Sequence, residues 1–142
     1  MKINTYLHLD GKCREAFELY ARVLNGKITG LMTYGEAPMG GNECPPAERD
    51  KVIHVRLEVG DQVLMGSDSP PDHVAPLSGF SITINVDSDA EAERIFNALS
   101  EGGRVFMPLE ATFWAKKFAM FADRFGTPWM VNYQVNAMEK AA

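Results

Sequence analysis

The chain has 142 residues, 46% of them hydrophobic, and a formal net charge of −5 from 14 Lys and Arg against 19 Asp and Glu. This length allows roughly two thirds of the unfolded surface to be buried, so we expect a folded core that needs no disulfide. Charges of both signs are scattered without a basic cluster, and no apolar run reaches the ~18 residues of a membrane span, so we expect neither nucleic acid nor a membrane as a partner.

The first half of the chain predicts a strand, a helix and three further strands. Residues 2–9 alternate apolar and polar side chains, which is the period of a half-buried strand. Residues 13–24 carry an apolar stripe on a charged helix that ends at Asn25-Gly26. Strand 27–35 leads into a loop at 36–50 rich in Gly and Pro, and segments 51–59 and 62–68 form a hairpin around Gly60-Asp61.

The same order of elements returns after a proline-bearing linker at 70–78. Strand 79–86 is followed by a helix at 89–101 that begins with a capping box of Ser88 and Glu91. Strands at 104–109, 116–123 and 128–135 complete the second half. In strand 79–86 the apolar residues suit the side beneath the helix, so we expect Ser81, Thr83 and Asn85 to face a cleft.

The repeated order predicts an α+β fold of two βαβββ modules, at residues 1–69 and 79–142, joined by the linker at 70–78. A single module leaves one face of its sheet uncovered, and two modules side by side can wrap those faces around a cleft. We therefore expect one structural domain with a partly open, eight-stranded, barrel-like sheet and its helices on the outside. The alternative is a ferredoxin-like α+β sandwich.

The two cysteines, Cys13 and Cys44, have no CxxC spacing and lie in segments of different type. Reduced thiols in a chain that opens without an apolar leader favour a cytoplasmic protein. Cys13, near the start of a helix, could act as a nucleophile, and packing in the core is the alternative role.

The spacing of the histidines does not predict a metal site. His8 and His54 fall within strands and His73 falls in the linker, and no pair has HxH or HxxxH spacing. We therefore expect no bound metal and no cofactor. His54, Arg56 and Glu58 share one face of a strand, where they could perform acid–base chemistry or bind an anion, although an ordinary solvated strand has the same pattern.

The segment from Glu110 to Gln134 is rich in aromatic and methionine side chains and contains both tryptophans. Such side chains line small-molecule pockets, and they also fill cores and subunit interfaces. The sequence leaves these roles open for the set Trp114, Phe118, Met120, Phe121, Phe125, Trp129 and Met130.

Three segments carry a resemblance to a known family: EAFELYARVLNG at 15–26, VLMGSD at 63–68 and, above all, ATFWAKKFAMFADRFGTPWMVN at 111–132. Together with the paired βαβββ pattern, they resemble the PhnB-like group of the vicinal oxygen chelate superfamily, which includes glyoxalase I, bleomycin-resistance proteins and extradiol dioxygenases. The likeness covers nearly the whole chain. It implies the two-module fold, a cleft, and a homodimer with the cleft near the subunit interface.

The resemblance also implies where a divalent metal would be held, because enzymes of the superfamily bind one through the first and last strand of each module. In this chain those positions fall at Thr5 (Asn4 after a shift of one residue), Met65, Ser81 and Met130. Two thioethers and two hydroxyls do not suit an oxygen-preferring or borderline ion. Members of the group are often described as ubiquinone-pathway methyltransferases. The sequence has no glycine-rich turn after the first strand, so it does not support that activity.

These observations predict a metal-free, dimeric protein that binds a small organic ligand in the manner of bleomycin-resistance proteins. The alternative is a lyase, isomerase or dioxygenase of the superfamily that uses relocated metal ligands or an acid and base, drawn from His8, His54, Glu58 and Glu110. A third alternative is a dimer without a usable cavity, whose interface serves assembly only. The predicted ligand pocket consists of Tyr6, His8, Met65, Trp114, Met130 and Asn132.

Overall fold

The computed structural model describes residues 1–37, 44–73 and 75–134, and the chain divides into two compact units, Met1–Ala75 and Pro76–Ala142. The boundary falls inside the linker predicted at 70–78. Each unit combines an α-helix with a four-stranded sheet of the same topology, which confirms the predicted pair of βαβββ modules. Within the described ranges, no helix is long and apolar enough to cross a membrane.

The first unit contains the elements β1 (Thr5–Leu9), α1 (Cys13–Val23), β2 (Lys27–Thr33), β3 (Val52–Val59) and β4 (Gln62–Asp68). Its strands have the order β1-β4-β3-β2, with β1 parallel to β4 and the other pairs antiparallel. The predicted hairpin of β3 and β4 is confirmed. The loop predicted at 36–50 includes a 3-10 turn at Pro46–Glu48, and its residues 38–43 lie outside the described part of the chain.

The second unit contains β5 (Ile82–Asn85), α2 (Asp89–Ser100), β6 (Arg104–Glu110), β7 (Lys117–Ala122) and β8 (Pro128–Tyr133). The order β5-β8-β7-β6 repeats that of the first unit, with β5 parallel to β8. The eight strands thus form two open sheets of four. The alternative of a ferredoxin-like sandwich is not realised, because that fold places both helices on a single sheet.

Helix α1 packs on its sheet through a buried stripe with helical spacing, formed by Cys13, Ala16, Phe17, Leu19, Tyr20 and Val23. Phe17 lies directly over Gly66 on β4, where an added Cβ would stand 2.8 Å from Cε1 of the phenylalanine ring. The register partners of Gly66, Leu7 and Val55, are fully buried. This face of the first sheet is therefore its core face, and a side chain at position 66 would displace the helix.

Helix α2 begins at the predicted cap, since Ser88 Oγ accepts a hydrogen bond from the backbone N–H of Glu91 at 3.1 Å. Its Phe96 ring packs edge to face on Phe121 of β7, with ring centroids 5.5 Å apart. Phe121 pairs in register with Trp129, which is 1% exposed. The core of the second unit therefore lies between this helix and the sheet face of Phe121 and Trp129, together with the buried helix residues Ala92, Ile95 and Leu99.

Candidate functional site

The face of the first sheet opposite to α1 gathers most of the polar residues predicted for the site. Tyr6 pairs in register with Met65, and Met65 pairs with Arg56. Side chains two residues apart on a strand share a face, so the same face also carries residues next to these on β1 and β3. We call this set the tyrosine–histidine face: Tyr6, His8, His54, Arg56, Glu58 and Met65.

Tyr6 is the centre of an aromatic cluster on the tyrosine–histidine face. Its Oη lies 3.1 Å from Nδ1 of His54, and the two rings are stacked with centroids 5.7 Å apart. The ring of His8 lies 5.1 Å from that of Tyr6 on the same strand. Tyr6 is 37% exposed, so a bound molecule can reach a phenol and an imidazole that are already within proton-transfer distance.

Arg56 and Glu58 on the tyrosine–histidine face are paired with each other. Nε of Arg56 lies 3.3 Å from Oε2 of Glu58, and both side chains are partly exposed. Hydrogen bonds from Thr29 and then from Arg56 lower the pKa of the Glu58 carboxyl. Glu58 is thus a weak base at neutral pH, and its negative charge partly offsets the charge with which Arg56 could bind an anion. The acid–base and anion-binding roles proposed for the pair stay predictions.

The register of β1 does not place Thr5, an implied metal position, beside Met65. Thr5 pairs with Leu64 and shares the core face with Leu7, because strand residues alternate between faces. The residue of β1 that lies beside Met65, on the face away from the helix, is Tyr6.

In the second unit, the implied position Ser81 is likewise not the register partner of the methionine. Ser81 precedes the first residue of β5, and the residue of β5 that pairs with Met130 is Thr83. Neither the implied positions, Thr5, Met65, Ser81 and Met130, nor the set in which Tyr6 and Thr83 replace Thr5 and Ser81 supplies donors that fit a hard or borderline divalent ion. Among the residues that the structure describes, no group of three or more His, Cys, Asp or Glu side chains could hold a metal ion.

The face of the second sheet opposite to α2 consists of two rows of side chains that run across all four strands. One row contains Thr83, Met130, Met120 and Met107, and the other contains Asn85, Asn132, Phe118 and Glu110. We call these eight residues the methionine–amide face. It includes three residues predicted for the site, Met130, Asn132 and Glu110.

Asn132 holds a defined orientation on the methionine–amide face. Its Nδ2 donates to Oδ1 of Asn85 at 3.1 Å and to Oε1 of Gln134 at 3.2 Å. Its Oδ1 is buried and has no hydrogen-bond partner among the described residues. Both hydrogens of the amide are used within the chain, so Oδ1 is the polar atom of this side chain that lacks a partner among the described residues.

Trp114, the remaining predicted pocket residue, lies beside the methionine–amide face. The loop before β7 is folded by Thr112, whose Oγ1 accepts hydrogen bonds from the backbone N–H groups of Trp114 and Ala115. The Trp114 ring then packs edge to face on Phe118, with centroids 5.2 Å apart, and Phe113 packs on Trp114 at 4.8 Å. This aromatic ladder connects the loop to the row that contains Asn132.

Cys13 takes the packing role rather than the nucleophilic one. Its side chain is fully buried. Burial, and then the negative charge of Asp68, raise the pKa of the Cys13 thiol far above its usual range, against a smaller lowering by Arg14. The thiol therefore stays protonated, and only a thiolate is an effective nucleophile.

Met107 was not predicted as a site residue. Two register irregularities in the pairing of β6 with β7 interrupt the alternation of side chains between the faces. Residues 104–108 of this edge strand are all exposed, so burial gives no periodic signal in the sequence either. Only the pairing with Met120 places Met107 on the methionine–amide face.

The two βαβββ modules, each with parallel first and last strands, form the fold that is also found in the fosfomycin resistance protein FosX from Mesorhizobium loti, at a TM-score of 0.64, and in a glyoxalase/bleomycin resistance protein/dioxygenase family enzyme from Burkholderia phytofirmans, at a TM-score of 0.59. Residues 1–132 match the family described as 3-demethylubiquinone-9 3-methyltransferase. The chain belongs to this family.

Relatives of known structure or sequence match along almost the whole chain. Protein PA1353 from Pseudomonas aeruginosa is 47% identical, with 96% of this chain and 99% of that one covered, at a TM-score of 0.87. The PhnB protein from Bacillus cereus is 25% identical, with 94% and 99% covered, at a TM-score of 0.80. Protein YjdN from Escherichia coli is 30% identical over 139 residues, which cover 93% of this chain and 95% of that protein.

Proposed function

We propose that the protein binds a small organic ligand without a divalent metal, through side chains of the sheet faces turned away from the helices. The observation that carries the proposal is the donor set at the implied metal positions, Thr5, Met65, Ser81 and Met130, and at Tyr6 and Thr83, the register partners of the two methionines. Thioethers and neutral hydroxyls are poor ligands for divalent ions. Aromatic and thioether side chains with a few fixed polar groups are typical of ligand sites.

Metal analysis and ligand screening test this proposal together. Protein purified without a chelator is expected to contain far less than one divalent ion per chain by elemental mass spectrometry. Some members of a panel of small aromatic and heterocyclic compounds are expected to raise its melting temperature, because a ligand that binds only the folded state stabilises it. A divalent ion retained at one per chain through purification would contradict the proposal.

A second candidate function is metal-independent acid–base catalysis, as in an isomerase or lyase. The observation that favours it is the Tyr6–His54 pair, whose Oη and Nδ1 atoms lie 3.1 Å apart on an accessible face. Such a pair can remove a proton from a carbon acid and return it at a neighbouring atom.

The catalytic candidate predicts solvent exchange at acidic carbon atoms of a substrate. In D₂O, a panel of carbonyl compounds would be followed by NMR for incorporation of deuterium. Tyr6→Phe and His54→Gln are each expected to lower the exchange rate by about a hundredfold or more. Met32→Leu, on the neighbouring strand and in register with His54, serves as the control. Exchange that is equal in all three variants would refute this candidate.

The description of the family names a methyltransferase, and we do not carry that activity over. The turn from β1 to α1 contains a single glycine, Gly11, and leads into a helix of 11 residues. It therefore gives no support for the glycine-rich turn with which nucleotide folds bind their cofactor.

We further propose that the protein acts in the cytoplasm as a homodimer. The exposed apolar side chains of the edge strand β6, Val105, Phe106 and Met107, support an association of chains.

A further inference from the structure

We propose that the methionine–amide face binds an organic ammonium, meaning a molecule with an apolar body and a protonated amine. The inference rests on the proposed function, because it names the class of ligand that this face selects. It follows from one shared property. Six of its eight residues present an electron-rich group, namely the amide oxygen of Asn132, the carboxylate of Glu110, three thioethers and the ring of Phe118, while Thr83 and Asn85 also carry hydrogen-bond donors.

Asn132 supplies a hydrogen-bond acceptor that requires an external donor. The residue is 7% exposed, and its Oδ1 has no partner among the described residues. In this orientation the Nδ2 group is held by its hydrogen bonds to Asn85 and Gln134. A buried acceptor without a donor is unfavourable. A ligand whose N–H group reached Oδ1 would therefore remove this unfavourable free energy.

Glu110 supplies a negative charge at the end of the same row. It pairs in register with Phe118, which in turn pairs with Asn132. Glu110 is exposed, and in the described ranges no basic side chain forms an ion pair with it. Arg104, at the other end of β6, has its guanidinium over the ring of Phe106 at 5.2 Å. The carboxylate is therefore available to a cation from solution.

The aromatic ladder and the methionines complete the preference for a cation with an apolar body. Phe113, Trp114 and Phe118 stack edge to face in sequence, and the faces of such rings attract ammonium groups. Phe113 is 83% exposed, so the ladder reaches solvent. Met107, Met120 and Met130 form the neighbouring row, and their flexible thioether side chains adapt to apolar bodies of different shape.

An anionic or neutral ligand fits the same groups less well. An anion would meet the carboxylate of Glu110 and the free oxygen of Asn132, both of which repel it. A neutral apolar molecule would remove water from Glu110 without offering a compensating charge, which is unfavourable. The arrangement thus discriminates by charge and not only by shape.

Three probes with one apolar body test the inference: phenylbutylamine, phenylbutanol and phenylbutanoate, added to the full-length chain at neutral pH. Binding would be followed by the NMR shift of the Asn132 side-chain amide and by tryptophan fluorescence. We expect the amine to bind at least about fivefold more tightly than the alcohol, and the carboxylate to bind most weakly.

Amino-acid substitutions test whether the charge of Glu110, rather than a change in the fold, sets the preference for the amine. Glu110→Gln is expected to bring the affinity of the amine close to that of the alcohol, whereas Glu101→Gln, at the C-terminal cap of α2, keeps the preference. Asn132→Leu is expected to weaken amine binding, with a melting curve to confirm that the variant is folded.

Each alternative result is decisive. If the alcohol or the carboxylate binds as tightly as the amine, or if Glu110→Gln keeps the preference, the inference about the ammonium is wrong, while ligand binding itself stands. If none of the three probes binds, the inference is also wrong. The proposed function is then judged by metal content and by the wider compound panel.

Discussion

Asp68→Ala is expected to destabilise the first unit by about 3–5 kcal/mol, because it leaves two buried backbone donors without an acceptor. Oδ1 of Asp68 accepts from the N–H of Cys13 at 3.0 Å, and Oδ2 accepts from the N–H of Val52 at 2.9 Å. One carboxylate at the end of β4 thus holds the start of α1 and the start of β3. The side chain itself is 1% exposed, so both hydrogen bonds are shielded from water in the folded chain.

The backbone of Asp68 adds a third link to the same point. Its carbonyl oxygen accepts a hydrogen bond from Oη of Tyr34, at 2.7 Å, just after the end of β2. Loss of the carboxylate is therefore expected to loosen α1, β3 and the end of β2 together. Amide hydrogen exchange would show this as faster exchange across residues 13–23 and 52–59, with little change in the second unit.

Two further variants give this prediction its control. Asp68→Asn keeps one acceptor oxygen but turns an NH₂ group towards a backbone N–H, so about half of the loss is expected. Asp61→Ala removes an exposed aspartate from the turn between β3 and β4, where its contact is with Gln62, and is expected to change stability by less than about 0.5 kcal/mol. Equal stability of Asp68→Ala and Asp61→Ala in urea unfolding, followed by circular dichroism, would contradict the argument.

Local periodicity was sufficient to predict the modules and most of the side chains that share a face. The alternation of Val55 and Leu57 with His54 and Arg56 follows from the pleat of a strand, and the structure buries the first pair as expected. The same rule does not show which residue of β1 lies beside Met65. That register depends on pairing with β4, which is almost 60 residues away.

The two buried aspartates were beyond sequence reasoning for a different reason. Asp68 contacts Cys13 across 55 residues, and no spacing along a strand or helix encodes such a contact. Asp123 lies in the segment that best identifies the family, yet its part in the turn became visible only from its hydrogen bonds. Residue type alone could not separate this aspartate from a solvated one in a loop.

Asp123→Ala is expected to destabilise the second unit by about 3–5 kcal/mol, again through unsatisfied buried donors. Oδ1 accepts from the backbone N–H groups of Phe125 and Thr127 at 2.9 and 3.0 Å, and Oδ2 accepts from Nε1 of Trp129 at 2.8 Å. The turn also needs Gly126, which has a φ of 91° that other residues rarely adopt. The carboxylate thus fixes the turn from β7 to β8 and anchors the largest core side chain.

A double-mutant cycle isolates the bond to the indole. Trp129→Phe removes one donor and keeps an aromatic ring, so combining it with Asp123→Asn should cost less than the sum of the single changes, with a coupling of about 1–2 kcal/mol. Trp114 remains as the fluorescent reporter in the variants that lack Trp129. Strict additivity would show that the indole bond does not stabilise the fold. The coupling would instead give the DRFGTPW segment a structural role: it builds the turn that starts β8, on which Met130 and Asn132 reach the methionine–amide face.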